Sequence, residues 1–525
     1  MPKVLIADEL SVHAVAIFRQ RGVDVDVRTG LKAPELKSAI ADYDGLAVRS
    51  SSKVTAEILA AAPKLKVVGR AGIGVDNIDV PAATQRGVVV MNTPHGNSIT
   101  TAEHAIAMMF ALARQIPQAD KSTQAGKWEK SRFMGVELTG KTLGIVGCGN
   151  IGSIVAERAH GLKMKVIAFD PFLSDERARD LNVQKVDLDA LLTRADIITL
   201  HTPLTDSTRN LIDAKAIAKT KKGVRIINCA RGGLVVEADL KAAIDSGHVA
   251  GAALDVFAEE PAKQNALFGL DQVVATPHLG AATAEAQENV AVQIAEQMAD
   301  FLLTGAVSNA LNMPSVTAEE APKLRPYMKL AHQLGSFAGQ LTHSGVREVT
   351  IEYEGHAAEL NTRPLTATAL AALLTPMLDS VNMVNAPVLA RERNIEVTEI
   401  KHDRPGDYQS MIRLAVTTDQ RMRDVCGTLF GGDKPRIIEI KGIRIEAELG
   451  RHMLYTTNED KPGFIGRLGT LLGESGVNIA TFHLGRSAPG ADAIALIEVD
   501  QPLGDDLLAK VRAIPGVVQA EALAF

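Results

Sequence analysis

Three sets of residues in this sequence have types and spacings that could do chemistry. The first is the turn Gly147-Cys148-Gly149-Asn150-Ile151-Gly152, set between the apolar run KTLGIVG and a helical segment, Asn150–His160. Glycines so spaced permit a tight turn, close approach of backbone to a pyrophosphate, and close helix–strand contact. The helix start adds free N–H groups and a positive dipole end for phosphate. The following run, KVIAF, ends in Asp170, where a carboxylate would grip an adenosine ribose diol. Asp170 would repel a 2′-phosphate, and Pro171 and Phe172 follow it rather than arginine, so NAD is favoured over NADP. The second set is Arg231, after the run VRIINCA, with Glu260 and His278. Arginine can hold a carboxylate by a forked contact. Histidine can take a hydroxyl proton and return it, and a neighbouring carboxylate raises its pKa and fixes its tautomer. Such a trio suits a 2-hydroxy acid that gives up hydride. The third set, Arg49 and Arg70, ends two further apolar runs and would add charge for a polyanionic acid.

These residues need a scaffold that gathers strand ends. Short, non-alternating apolar runs (Val4–Ala7, Gly45–Val48, Val67–Gly69 and Val88–Met91) form one series. A second runs through Leu143–Val146, Val166–Phe169, Ile197–Leu200, Val224–Ile227, Gly251–Leu254 and Val273–Ala275. Strands buried on both faces read this way, with helices as right-handed crossovers. Two doubly wound α/β lobes follow, with ligands beyond the carboxyl ends of their strands. Beyond about residue 315, Val349–Tyr353 and Met411–Val416 alternate like half-exposed strands. From His452 the order is strand (Met453–Thr457), helix (Phe464–Glu474), strand (Val477–Leu484), strand (Ala493–Val499), helix (Asp505–Ala513), strand (Val517–Leu523). That is the ferredoxin-like βαββαβ unit.

Composition narrows the partners. The chain of 525 residues carries 56 Lys+Arg against 62 Asp+Glu, a net charge of -6. No basic excess exists to neutralise nucleic-acid phosphates. Cys148, Cys229 and Cys426 are odd in number and far apart, without metal-ligand spacing. No disulfide framework and no metal site are expected, and a reducing cytoplasm fits best. The N-terminal residues lack a signal-peptide apolar core. The apolar stretch Ala102–Ala113, interrupted by Glu103 and His104, is too short for a membrane span and reads as a buried helix.

The segments GIVGCGNIG, INCARGGLV, ALDVFAEEP and TPHLGAAT resemble, together and at these spacings, the D-isomer-specific 2-hydroxyacid dehydrogenase family over roughly residues 3 to 312. The resemblance implies Arg231 as substrate anchor, His278 as acid and base, and Glu260, immediately before Pro261, as its partner. It implies that Gly147, Gly149, Asn150, Ile151 and Gly152 meet the pyrophosphate, and that Asp170, His201, Thr202, Pro203, Cys229, Ala230, Asp255, Gly280 and Ala281 line NAD. In the first lobe, VRSSSKVT, VGRAGIGVDNID and MNTPHGNSITTAEH resemble the phosphoglycerate branch more closely than the glyoxylate, formate or lactate branches, as does GKWEKSRFMGVELTGKTLGIVGCGNIG. Arg49, Ser50, Arg70, Gly72, Ile73 and Asn97 would then hold a phosphorylated acid, with Lys130 and Arg132 adding charge from a neighbouring subunit. Ile73 departs from relatives whose threonine touches the cofactor.

The same resemblance divides the chain into a substrate unit (1–98 with 287–314), a Rossmann NAD unit (99–286), an α+β intervening domain (315–450) and a ferredoxin-like ACT domain (451–525). The intervening domain is implicated in binding anions or substrate. The ACT-like tail implies amino-acid sensing, here L-serine at Asn458, Asp460 and Asn478 between paired tails. The activity implied is oxidation of D-3-phosphoglycerate to 3-phosphohydroxypyruvate at the entry to serine synthesis, with a side reduction of 2-oxoglutarate, in a cytoplasmic dimer or tetramer. The rivals are a hydroxypyruvate or glyoxylate reductase and an NAD-sensing corepressor of the same fold.

Overall fold

The computed structural model describes residues 1–317, 319–378, 381–402 and 406–525. Its first sheet holds β1 (Lys3–Ile6), β2 (Asp24–Val27), β3 (Gly45–Val48), β4 (Val67–Arg70) and β5 (Val89–Met91), all parallel, in the order β2-β1-β3-β4-β5. The second holds β6 (Thr142–Val146), β7 (Lys165–Phe169), β8 (Gln184–Lys185), β9 (Ile197–Leu200), β10 (Val224–Asn228), β11 (Val249–Leu254) and β12 (Val273–Ala275). Their order, β12-β11-β10-β9-β6-β7-β8, is the doubly wound dinucleotide-binding order with its switch between β6 and β9. Every strand expected in the two lobes is present. The sequence reading missed β2 and β8, and both are edge strands: β8 is exposed throughout and β2 has only Val25 buried. An edge strand needs no continuous apolar run, so it leaves no such signature.

Two long helices cross between the lobes. Ser98–Arg114 leaves the first lobe just after Asn97 and buries Ala102, Ala105, Met108, Met109 and Leu112 in the second. Ala284–Thr304 returns and packs Val290, Ala291, Ile294, Ala295 and Met298 on the first sheet. The crossings touch at Thr100 and Thr283, whose hydroxyls lie 3.4 Å apart. The carboxyl ends of both sheets thus share one cleft.

The third sheet contains β13 (Val346–Gly355), β14 (Glu396–His402), β15 (Ser410–Thr418), β16 (Met422–Phe430), β17 (Lys434–Ile440) and β18 (Ile443–Ala447), antiparallel except for the edge pair β13–β14. Helices Ala321–Gln340 and Arg363–Leu374 bury Leu330, Leu334, Phe337, Leu370 and Leu373 in its core. The last sheet, β19 (His452–Glu459), β20 (Ile479–Arg486), β21 (Asp492–Val499) and β22 (Val517–Ala524), has the order β20-β21-β19-β22 and its helices at Phe464–Glu474 and Asp505–Arg512, the ferredoxin-like arrangement expected. Its helix-covered face has its own core, while Met453, Tyr455, Ile494, Leu496 and Leu523 on the other face join the core of the third unit. Among the described residues no helix is long and apolar enough to cross a membrane.

Candidate active site

The loop after β6 turns at Gly147, where φ is +88°. A Cβ there would lie 2.6 Å from the His201 carbonyl oxygen, and one at Gly152 would lie 2.1 Å from the Gly147 carbonyl oxygen. Only glycine lets the helix Asn150–Gly161 start this close to the strands. Gly149 faces open space, and the helix start there offers unpaired N–H groups. Asp170 braces the loop: Oδ2 accepts from Cys148 N at 2.8 Å and Oδ1 from Phe172 N at 2.8 Å. A carboxylate oxygen accepts more than one hydrogen bond, so a ribose diol can still be held. These features fit a dinucleotide. Asn150 Nδ2 reaches across to the Pro94 carbonyl at 3.3 Å.

Other residues expected along the cofactor divide. Thr202, Ala230 and Ala281 are partly exposed. Pro203 is exposed. Cys229 is buried, and burial raises its thiol pKa. Burial pushes the His201 imidazole down to about 4, so the ring is neutral, with Nε2 2.9 Å from Thr199 Oγ1. Its backbone rather than its ring meets the glycine turn. Asp255 is wholly buried and spends its carboxylate on the turn that follows β12. It accepts from Thr276 Oγ1 at 2.6 Å, Leu279 N at 2.7 Å and Gly280 N at 2.8 Å. The carboxylate therefore braces the protein instead of facing the cleft.

That turn carries His278, held at φ +57°. Its Nδ1 lies 2.6 Å from Glu260 Oε2, and Glu260 Oε1 accepts from Phe257 N at 3.0 Å. Its Nε2 has no hydrogen-bond partner among the described residues. The Glu260 hydrogen bond raises the His278 pKa against the opposing effect of burial, and Asp255 adds to the rise. Burial pushes Glu260 up, but the hydrogen bonds from His278 and Phe257 bring it below its ordinary value.

Arg231 follows β10; its Nε reaches the first lobe and donates to Asp76 Oδ2 at 3.0 Å, while its Nη1 donates to the neighbouring Ala230 carbonyl at 2.7 Å. The loop after β4 is shaped around two guanidinium groups. A Cβ on Gly72, at φ +144°, would fall 1.6 Å from Arg70 Nη1, and one on Gly74 1.8 Å from Arg231 Nη2. Burial, then the nearby Arg231, pushes Arg70 down to about 10; Arg49 acts in the same sense. The Arg70 Nε and the Asn97 Oδ1 are buried without a partner. Gly72 N donates to Thr93 Oγ1 at 2.8 Å, and the Ile73 carbonyl accepts from Asn92 Nδ2 at 2.6 Å. The loop of Arg49 and Ser50 is fixed by Asp8, which accepts from Arg49 N at 2.6 Å and Ser52 Oγ at 2.7 Å, and by Asn77, which donates to the Arg49 carbonyl at 2.8 Å. The cleft thus gathers Arg49, Arg70 and Arg231 near the His278–Glu260 pair.

Two expectations do not fit within one chain. Arg132 is tied to Glu129 at 3.1 Å and Asp271 at 3.0 Å, near the amino end of β12, because these carboxylates are its nearest counter-charges. Asn478 bonds Asp500 beside Val499, whereas Asn458 pairs with Ala493 at the other end of β21. Six strand residues, roughly 20 Å, separate them, so one tail does not assemble the three effector candidates. Asp460 already accepts from Arg486 Nη1 at 2.8 Å and Gly490 N at 3.0 Å. Asp8, Asp76, Asn77 and His104 were given no role at the site. Asp8 ends a strand and the strand-end rule could have found it; the others carry no spacing signal.

Comparison with known proteins places these features in context. Residues 106–280 match the model described as "D-isomer specific 2-hydroxyacid dehydrogenase, NAD binding domain". Residues 323–441 match "D-3-phosphoglycerate dehydrogenase intervening domain", and 452–516 match "ACT domain". The chain is 45% identical to a D-3-phosphoglycerate dehydrogenase of Synechocystis over 99% of this chain and 94% of the relative. It is 45% identical to one of Bacillus subtilis over 100% and 99%. Among solved structures, a Thermus thermophilus protein is 33% identical with TM-score 0.55, covering 59% of this chain and 99% of that one. A D-lactate dehydrogenase of Aquifex aeolicus, solved with NAD and lactic acid, is 25% identical with TM-score 0.53 over 60% and 100%.

Proposed function

The chain belongs to the D-3-phosphoglycerate dehydrogenases of the D-isomer specific 2-hydroxyacid dehydrogenase family, and we propose that it oxidises D-3-phosphoglycerate to 3-phosphohydroxypyruvate, the entry step of L-serine synthesis. NAD, when bound, supplies the hydride acceptor. Arg231 holds the substrate carboxylate, and His278 Nε2 takes the C2 hydroxyl proton as the C2 hydride departs. Glu260 stabilises the resulting imidazolium and keeps the ring oriented. The observation that carries the choice of substrate is the arginine trio. A phosphate carries about −1.5 to −2 near neutral pH, and its carboxylate adds one more charge. Arg49 and the unpartnered Arg70 Nε supply counter-charge beyond what Arg231 gives. Ser50, Gly72, Ile73 and Asn97 complete the pocket.

The test is a substrate panel followed at the NADH absorbance, with R49A and R70A beside the unmodified enzyme. Each variant should raise KM for 3-phosphoglycerate about 10-fold or more, one lost charge-assisted contact being worth roughly 1.5–3 kcal/mol, and barely change that for D-lactate or D-glycerate. Equal losses on both acid classes would remove the phosphate role. A panel led by glyoxylate or hydroxypyruvate would move the chain to the reductases, and 2-oxoglutarate tests the side reaction.

The terminal unit supports an effector role, and we assign it L-serine, bound where Asn458 and Asp460 of one tail meet Asn478 of a second copy. Exposed Trp128 and Met134 support pairing through the nucleotide lobe, which would also bring Lys130 and Arg132 to a neighbour, with tetramers formed through the tails. Three free, buried cysteines agree with a cytoplasmic setting.

A further inference from the structure

The crossing helix Ser98–Arg114 touches the back of the turn that carries His278. Thr101 Oγ1 donates to the Gly280 carbonyl at 2.9 Å. One turn further along the helix, His104 Nε2 lies 3.2 Å from Asp255 Oδ1 and 3.4 Å from Thr276 Oγ1. Asp255 in turn meets the segment 276–280 at both ends. Its carboxylate accepts from Thr276, Leu279 and Gly280, and its backbone carbonyl accepts from His278 N at 2.9 Å. The turn needs such bracing, because His278 sits in a left-handed conformation that side-chain-bearing residues rarely adopt. A conformation of that kind persists when its surroundings over-determine it. His104 brings a ring nitrogen to a wholly buried carboxylate from an element outside the turn.

We propose that His104 is a positioning residue for His278: by donating Nε2–H to Asp255 it fixes the carboxylate on which the 276–280 turn hangs, and so sets the aim of the His278 ring. The proposal rests on His278 serving as acid and base, as argued above. Thr101 gives the second hold on the same turn. Because the helix begins directly after Thr93–Asn97, the first lobe's contribution to the cleft and the acid–base turn are referenced to one rigid element. The charged groups facing His278 are Glu260, Asp255 and Arg231; those facing Asp255 are His104, His278, Glu260 and the Cys229 thiol.

The experiment compares the full-length enzyme with H104L, which removes the donor, and H104Q, which keeps an N–H. The readouts are kcat, KM, the pH profile of oxidation, and NADH affinity by fluorescence titration. A misplacement of about 1 Å can cost on the order of 10²-fold in rate. H104L should therefore lower kcat roughly 10- to 100-fold and move the acid limb toward lower pH as His278 loses register with Glu260. NADH affinity should stay within about twofold, and H104Q should recover most of kcat. H104L with unchanged kcat and limb would overturn the assignment. So would a matching fall in NADH affinity without rescue by H104Q, which marks a purely structural histidine. If H104L does not fold, T101V gives the smaller version of the same loss, and an unchanged T101V together with an H104Q no better than misfolded protein would count against the proposal. An unmodified enzyme inactive on every hydroxy acid would bring down the functional reading itself, and this inference with it.

Discussion

At His278 the sign of a pH experiment follows from one contact. Oxidation needs the ring unprotonated, and the Glu260 hydrogen bond raises its pKa above the ordinary histidine value. The oxidation rate should thus climb with pH through a limb lying above about 6.5, while reduction, which needs the imidazolium, should fall across the same limb. E260Q removes the largest cause of the shift. Its limb should move to lower pH and its kcat should drop by about 10²-fold, within the usual worth of acid–base assistance. A limb that stays in place would separate Glu260 from His278. At this scale the sequence was most legible where chemistry and strand ends coincide, at Arg231, Asp170 and Arg70. It was least legible where a residue's work is to hold another residue. Asp255 has the type of a ligand-facing carboxylate, yet its buried oxygens face Thr276, Leu279 and Gly280. His104 interrupts an apolar helix with no hint of what it meets.

Among the elements, the loop between β4 and the helix Val80–Gln85 does the most with the least side chain. Gly72 and Gly74 leave room for Arg70 and Arg231, and Asp76 reaches across the cleft to hold Arg231. A methyl on Gly74 would land 1.8 Å from Arg231 Nη2, so the guanidinium must move. G74A is therefore expected to imitate loss of the Arg231 anchor, raising KM for the hydroxy acid about 10-fold with NADH affinity within twofold. Steady-state kinetics with an NADH titration would check this, and a normal KM would mean that Arg231 is not held where the loop puts it. Buried strands announced themselves as short apolar runs bounded by Gly, Asp or Pro. β2 and β8 stayed hidden because sheet edges face solvent. The packing of Ala284–Thr304 on the first sheet, through Met298 and Ile294, is set by the return of the chain and no local pattern shows it.

Across the whole molecule, the C-terminal half is joined to the N-terminal lobes by a small, specific contact. Val384 is buried in the core of the first lobe. Asn382 Nδ2 donates to the Gly87 carbonyl at 3.0 Å, and Asn385 Nδ2 to the Gln85 carbonyl at 3.1 Å. These carbonyls lie just before β5, whose far end carries Thr93–Asn97 beside the arginines. The terminal sheet shares its core with the third unit through Tyr455, Leu496 and Leu523. A change at the tail therefore has a packed route to the 382–385 segment and from there to the substrate lobe. Coupling of this kind requires an element that both sites bias. N382A would remove the amide that holds Gly87 and also accepts from Val384 N at 2.9 Å, while touching nothing in the cleft. Its kcat without effector should stay within about twofold of the unmodified enzyme, its inhibition by L-serine should weaken several-fold, and amide hydrogen exchange across residues 84–91 should quicken even in the absence of ligand. Faster exchange with undiminished serine inhibition would show that the contact is structural and that the signal takes another path. Unchanged exchange would show that Asn382 does not secure the lobe at all.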